Sequence, residues 1–130
     1  MSLLVPLLLV LAGCGQSANR DTVRAVTDRF YSAVENHDVA TACAQLAEPT
    51  VKTLEQDEKA TCTKAVGELG LSPARITKVE VYVNNAKVDL ANGASAYLEN
   101  TKDGWRISAL GCRPTEGDPE EQPQSCAVES

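Results

Sequence analysis

The chain has 130 residues, room for one domain and too few for two ordinary ones. Its formal charge is −6, and its aromatic residues are only Phe30, Tyr31, Tyr82, Tyr97 and Trp105. A nucleic-acid partner is excluded on both counts, since it needs a basic face or a row of stacking rings.

Leu3 to Ala12 is an apolar run, too short to span a bilayer as a helix, which takes roughly 20 residues. It has the length of a signal-peptide core. The run ends in Leu11, Ala12, Gly13 and Cys14, which resembles the lipobox of bacterial lipoproteins. That resemblance implies diacylglycerol on the Cys14 thiol and cleavage just before it. Two or more acyl chains anchor a protein stably, where one binds reversibly. No basic residue precedes the run, a departure from the usual signal peptide. The expected organisation is a signal peptide over 1–13, a lipidated cysteine with a flexible tether over 14–20, a folded domain over 21–112 and an acidic tail over 113–130. The tail carries five acids and one base, while residues 14–112 net only −2, so it reads as a solvated extension.

The first half of the domain reads as helical. Asp21 can cap a helix in which Val23, Val26, Phe30 and Val34 recur at helical spacing, ending near Asn36. His37 and Asp38 break it, and Asp38 can cap a second short helix holding Ala42, Cys43 and Leu46. Glu48 and Pro49 mark the next boundary. A third helical segment covers 60–69, and Gly70 to Pro73 close this half.

The second half reads as an antiparallel meander with turn signals at Asn84-Asn85, Asn92-Gly93 and Lys102-Asp103-Gly104. A two-residue turn at Asn84-Asn85 pairs Val83 with Ala86, Val81 with Val88 and Val79 with Leu90. It also sets Glu80 opposite Asp89. A three-residue loop with Gly93 left-handed sets Leu90 against Ala94, Val88 against Ala96 and Ala86 against Leu98. A loop over 101–104 continues the pattern, pairing Leu98 with Ile107 and Ala96 with Ala109. One face is then Val, Leu, Ala and Ile with Trp105. The other carries Lys78, Glu80, Tyr82, Lys87, Asp89, Tyr97, Glu99, Arg106 and Ser108, with Glu99 opposite Arg106. Three helices covering the dry face make an α+β fold.

Five cysteines leave an even remainder once Cys14 is assigned to lipid. Cys43, Cys62, Cys112 and Cys126 can pair in three ways. Cys43 with Cys62 and Cys112 with Cys126 is favoured, because each pair is close in sequence and shares a structural neighbourhood. Each closed loop is worth roughly 3 kcal/mol. No metal site is expected: the cysteines lack close ligand spacing, and His37 is the single histidine. No cofactor is expected, there being no phosphate-cradling glycine loop.

Helices followed by a meander resemble the NTF2-like cone, in which N-terminal helices pack on a curved antiparallel sheet. Phe30 to Asp38 is similar to the end of that fold's first helix, and Asp103-Gly104-Trp105-Arg106-Ile107 to its final hairpin. Gly111-Cys112-Arg113-Pro114 with a later Cys126 resembles small exported actinobacterial lipoproteins. The resemblance covers about residues 21–112 and implies a cone whose interior Phe30 and Trp105 would line. The fold hosts both enzymes and binding domains, so function rests on the site. The dry face offers no titratable group. The expectation is therefore a non-enzymatic, lipid-anchored domain on the extracytoplasmic face of the cell membrane, binding a partner protein or a small apolar ligand. Two alternatives stand beside it: an isomerase or dehydratase using His37 or Asp38, and a structural or regulatory envelope subunit.

Overall fold

Val23, Val26, Phe30 and Ala33 share one side of a 3.6-residue helix, and they form the buried stripe of α1, Gly15–Glu35. The computed structural model describes residues 15–114 and 124–130; Cys14 and the leader before it lie outside them. The helix begins well before the expected cap at Asp21, so residues 15–20 are helical and not a flexible tether. They carry no apolar stripe to reveal them. Local bonds hold them instead, such as Thr22 Oγ1 donating to the Ala18 carbonyl at 3.0 Å.

α1 ends in a paired cap. The His37 N–H donates to the Val34 carbonyl at 3.2 Å and the Asp38 N–H to Ala33 at 2.8 Å. This closure needs a left-handed residue, and His37 supplies it with φ 58 where glycine is usual. Asp38 then caps α2, Val39–Ala44, its carboxylate accepting from the Thr41 N–H. The boundary at Glu48 and Pro49 opens a helix of its own, α3, Glu48–Glu58. Lys59, also left-handed at φ 51, stops it, and α4 follows at Cys62–Glu68. The described helices number four where three were expected, because α3 buries only Thr50 and Leu54 and so shows little periodicity.

The strands are β1 (Ile76–Tyr82), β2 (Asn85–Leu90), β3 (Ser95–Thr101), β4 (Gly104–Pro114), β5 (Gln124–Ser125) and β6 (Val128–Glu129). They form an antiparallel sheet in the order β1-β2-β3-β4-β5, with β6 also paired to β4. The molecule is thus mixed helix and antiparallel sheet, an α+β fold. The β2–β3 register is the expected one, with Ala86 opposite Leu98 and Val88 opposite Ala96. Gly93 is left-handed at φ 85, as the three-residue loop requires.

The β1–β2 register differs. Val81 faces Ala86 and Val79 faces Val88, so the turn sits at Val83 and Asn84, and the expected Val81–Val88 pairing does not form. A slide of this parity keeps the same residues on the dry face. Charge gives its physical reason. The expected register opposed Glu80 to Asp89, whereas the observed one opposes Lys78 to Asp89 and Glu80 to Lys87. It also brings Ile76 opposite Leu90. Between β3 and β4, Leu98 faces Ile107 and Glu99 faces Arg106 as expected. An irregularity at Tyr97 then pairs Ala109 with Tyr97 and not with Ala96.

The end of the tail returns to the sheet. Val128 is buried opposite Leu110 in β4, and Cys126 is bonded to Cys112, so the last residues are part of the fold and not a solvated extension. A second disulfide joins Cys43 of α2 to Cys62 at the start of α4. Helix α1 lies on the sheet, and α3 lies against β4 and β6. The link between α2 and α3 is stitched to β4: the Ile107 N–H donates to Gln45 at 2.8 Å and the Ala47 N–H to Ile107 at 2.8 Å. Phe30, Val88, Leu98, Ile107 and Leu110 fill the space between helices and sheet.

Candidate functional site

The dry face of the sheet is occupied by core. Phe30 is fully buried and Trp105 nearly so, and neither lines the clefts described below. The buried polar side chains among the described residues, Thr27, Gln45, Thr50 and Ser95, carry no charge.

Adjoining clefts gather at one end of the molecule, around the connection from α4 to β1. Gly70, left-handed at φ 64, turns the chain out of α4. Residues 70–75 then cross the end of the sheet as a strap. The Ala91 N–H holds the strap by donating to the Arg75 carbonyl at 2.8 Å, and Asn92 Nδ2 by donating to the Ser72 carbonyl at 3.4 Å. Three clefts surround the strap. The first, about 390 Å³, has an apolar floor of Val34, Val39, Val66 and Leu71, with Glu35 and His37 also lining it. The second, about 410 Å³, runs between the strap and Asp28, Tyr31 and Glu35 of α1. The third, about 200 Å³, lies between Tyr31, Leu71, Asn92 and Arg113. Shared walls join them: Glu35 and Pro73 belong to the first two, Tyr31 to the second and third, and Leu71 to the first and third.

Tyr31 sits at the meeting point, its ring edge-on to Phe30 at 5.2 Å. Burial pushes its hydroxyl up to about 12, so it remains a neutral phenol across the ordinary pH range. Gly67 bounds the first cleft from α4; a Cβ placed there would stand 3.8 Å from Val39 Cγ1, with room to grow.

The sequence-derived site residues fall in different places. His37 lines the first cleft, where its left-handed backbone closes α1. Asp38 is engaged by its own helix: Thr41 Oγ1 donates to its carboxylate at 2.6 Å, and the Thr41 hydrogen bonds lower its pKa. Its carboxylate thus caps α2. The four cysteines Cys43, Cys62, Cys112 and Cys126 are all in disulfides. Cys14 lies outside the described residues. Among the described residues, no group of three or more His, Cys, Asp or Glu side chains is placed to hold a metal ion, and no helix is long and apolar enough to cross a membrane.

The cleft residues Val39, Val66, Leu71 and Tyr31 were not singled out from sequence. Val66 is a core residue of α4 at 2% exposure, and Val39 and Leu71 are half-buried beside the glycine-ended turn after α4. Comparison with protein-family models, with curated proteins and with solved structures finds no match.

Proposed function

We propose that this chain is an exported lipoprotein with a domain of the NTF2-like type, anchored through Cys14 on the extracytoplasmic face of the cell membrane and working by binding, not catalysis. The leader ending in Leu11, Ala12, Gly13 and Cys14 supports the anchor. The two disulfides support an oxidising compartment. Helices first and antiparallel strands after support the NTF2-like assignment.

The observation that carries the binding role is the contrast between a filled interior and an open apolar cleft at the far end of α1. A helix of 21 residues is about 30 Å long. With Cys14 in the membrane, the cleft beside His37 faces away from it. Its open mouth and floor of Val34, Val39, Val66 and Leu71 suit an apolar side chain presented by a partner protein. Among the described residues the buried side chains include no carboxylate and no imidazole, and the Tyr31 phenol is the one buried group that ionises, which supports a binding role.

Gly67→Trp tests the cleft, because the indole would fill it from the exposed side of α4. The acylated protein and the variant are recovered from solubilised membranes after crosslinking, with circular dichroism as the check on folding. A partner crosslinked to the parent chain and lost with Gly67→Trp is the expected result. Equal recovery by both would contradict it. An apolar small molecule extracted with the parent alone would make the ligand a lipid or metabolite in place of a protein.

A further inference from the structure

Among the described residues, the exposed large hydrophobic side chains are Tyr82, 55% exposed, and Val83, 84% exposed, and they are neighbours. They form the tip of the β1–β2 hairpin. Val83 holds φ 38 there, a left-handed backbone that a β-branched residue resists. A turn serving only to reverse the chain would carry Asn or Gly at this position.

The tip has a fixed place in the molecule. A cleft of about 350 Å³ is lined by Gln16 and Arg20 of α1 together with Val79 to Tyr82 of β1, so the tip stands beside the first turns of α1. The Asn100 N–H donates to the Asn84 carbonyl at 2.8 Å, which ties this hairpin to the next one. Trp105 Nε1, just past the β3–β4 turn, donates to Asn19 Oδ1 at 3.4 Å. The start of α1 and both hairpin tips therefore share one end, opposite the strap and its clefts. Gly15, where α1 starts, directly follows Cys14.

We infer that this end of the domain lies against a lipid bilayer, with Tyr82 and Val83 seated among the headgroups. The inference rests on the reading that Cys14 carries lipid. One residue spans at most about 3.6 Å, so an acylated Cys14 holds the first turn of α1, and the tip beside it, at the membrane surface. Tyrosine is enriched at that level of a bilayer, where its ring meets lipid and its hydroxyl meets water. Charges of both signs are paired near this end, Lys78 with Glu80 and Lys87 with Asp89, so the seating does not depend on anionic lipid.

The test uses full-length acylated protein, purified from membranes and reconstituted into phosphatidylcholine vesicles that contain headgroup nitroxide lipids. Tryptophan is placed at the tip by Val83→Trp and, separately, Tyr82→Trp, and on the strap by Ser72→Trp as a distal reference. Trp105 is common to all three and is subtracted with the parent protein. Both tip variants should lose emission to the nitroxide and shift to the blue, with Ser72→Trp unchanged; if one tip variant misfolds, the other carries the measurement. Unquenched tips, or equal quenching at all three positions, overturn the inference. Flotation and intact mass of the same samples report the anchor separately. Floating, acylated protein with unquenched tips overturns only this face, whereas protein without acyl mass that fails to float overturns the anchor and this face together.

Discussion

Trp105 and Asn19, 86 residues apart in sequence, are joined by a hydrogen bond from the indole Nε1 to the amide oxygen at 3.4 Å. The bond pins the first turns of α1 to the start of β4. It adds a long-range tie to the local bonds of these turns, which carry no apolar stripe. Asn19→Leu removes the acceptor and leaves a nearly buried indole N–H unpaired. We expect a loss of about 1 kcal/mol in stability, read from denaturant midpoints, and faster amide exchange over residues 15–20 than over the rest of α1.

The two disulfides close loops of 19 and 14 residues' separation. Replacing Cys43 and Cys62 together by serine should cost roughly 3 kcal/mol, by freeing the unfolded chain and loosening α2 from α4. The pair Cys112 and Cys126 acts more locally. With both changed to serine, amide exchange at Val128 should rise sharply while Val88 and Leu98 stay protected.

His37 and Lys59 both hold left-handed backbones at helix ends, φ 58 and 51. Glycine relieves that strain at some cost in chain entropy. His37→Gly and Lys59→Gly should each raise stability by about 0.5–1 kcal/mol, seen as a higher Tm.

Burial raises the Tyr31 hydroxyl from 10.0 to about 12. Below pH 10 the group is neutral in folded and unfolded chains alike. Between about 10 and 12 only the unfolded chain ionises, so stability falls as pH rises through that window, by up to about 3 kcal/mol. Tyr31→Phe should flatten this alkaline slope, measured by urea unfolding at successive pH values, and leave the neutral range little changed.

Much of the fold was legible in the residues because the signals were periodic. The buried stripe of α1, the Asp38 cap, Gly93 and the Leu98–Ile107 pairing all follow from spacing or from turn chemistry. The slide of β1 was missed because apolar alternation has a period of two and cannot distinguish registers two residues apart. Charge could have distinguished them, since only one register opposes Glu80 to Lys87 and Lys78 to Asp89. Helix α3 and the returning strand β6 were missed for another reason. Each buries few side chains, and each is held by partners far along the chain, as where Thr50 Oγ1 donates to the Ser108 carbonyl at 3.0 Å. The clefts around the strap were invisible for the same cause: Val39 and Leu71 are left half-buried by the path of 70–75, which no local spacing encodes.

Intact mass of the protein extracted from membranes decides whether Cys14 anchors the domain. The expected chain begins at Cys14, carries diacylglycerol on that residue, and lacks the thiol hydrogens of Cys43, Cys62, Cys112 and Cys126. An unmodified chain of all 130 residues with five free thiols would contradict it.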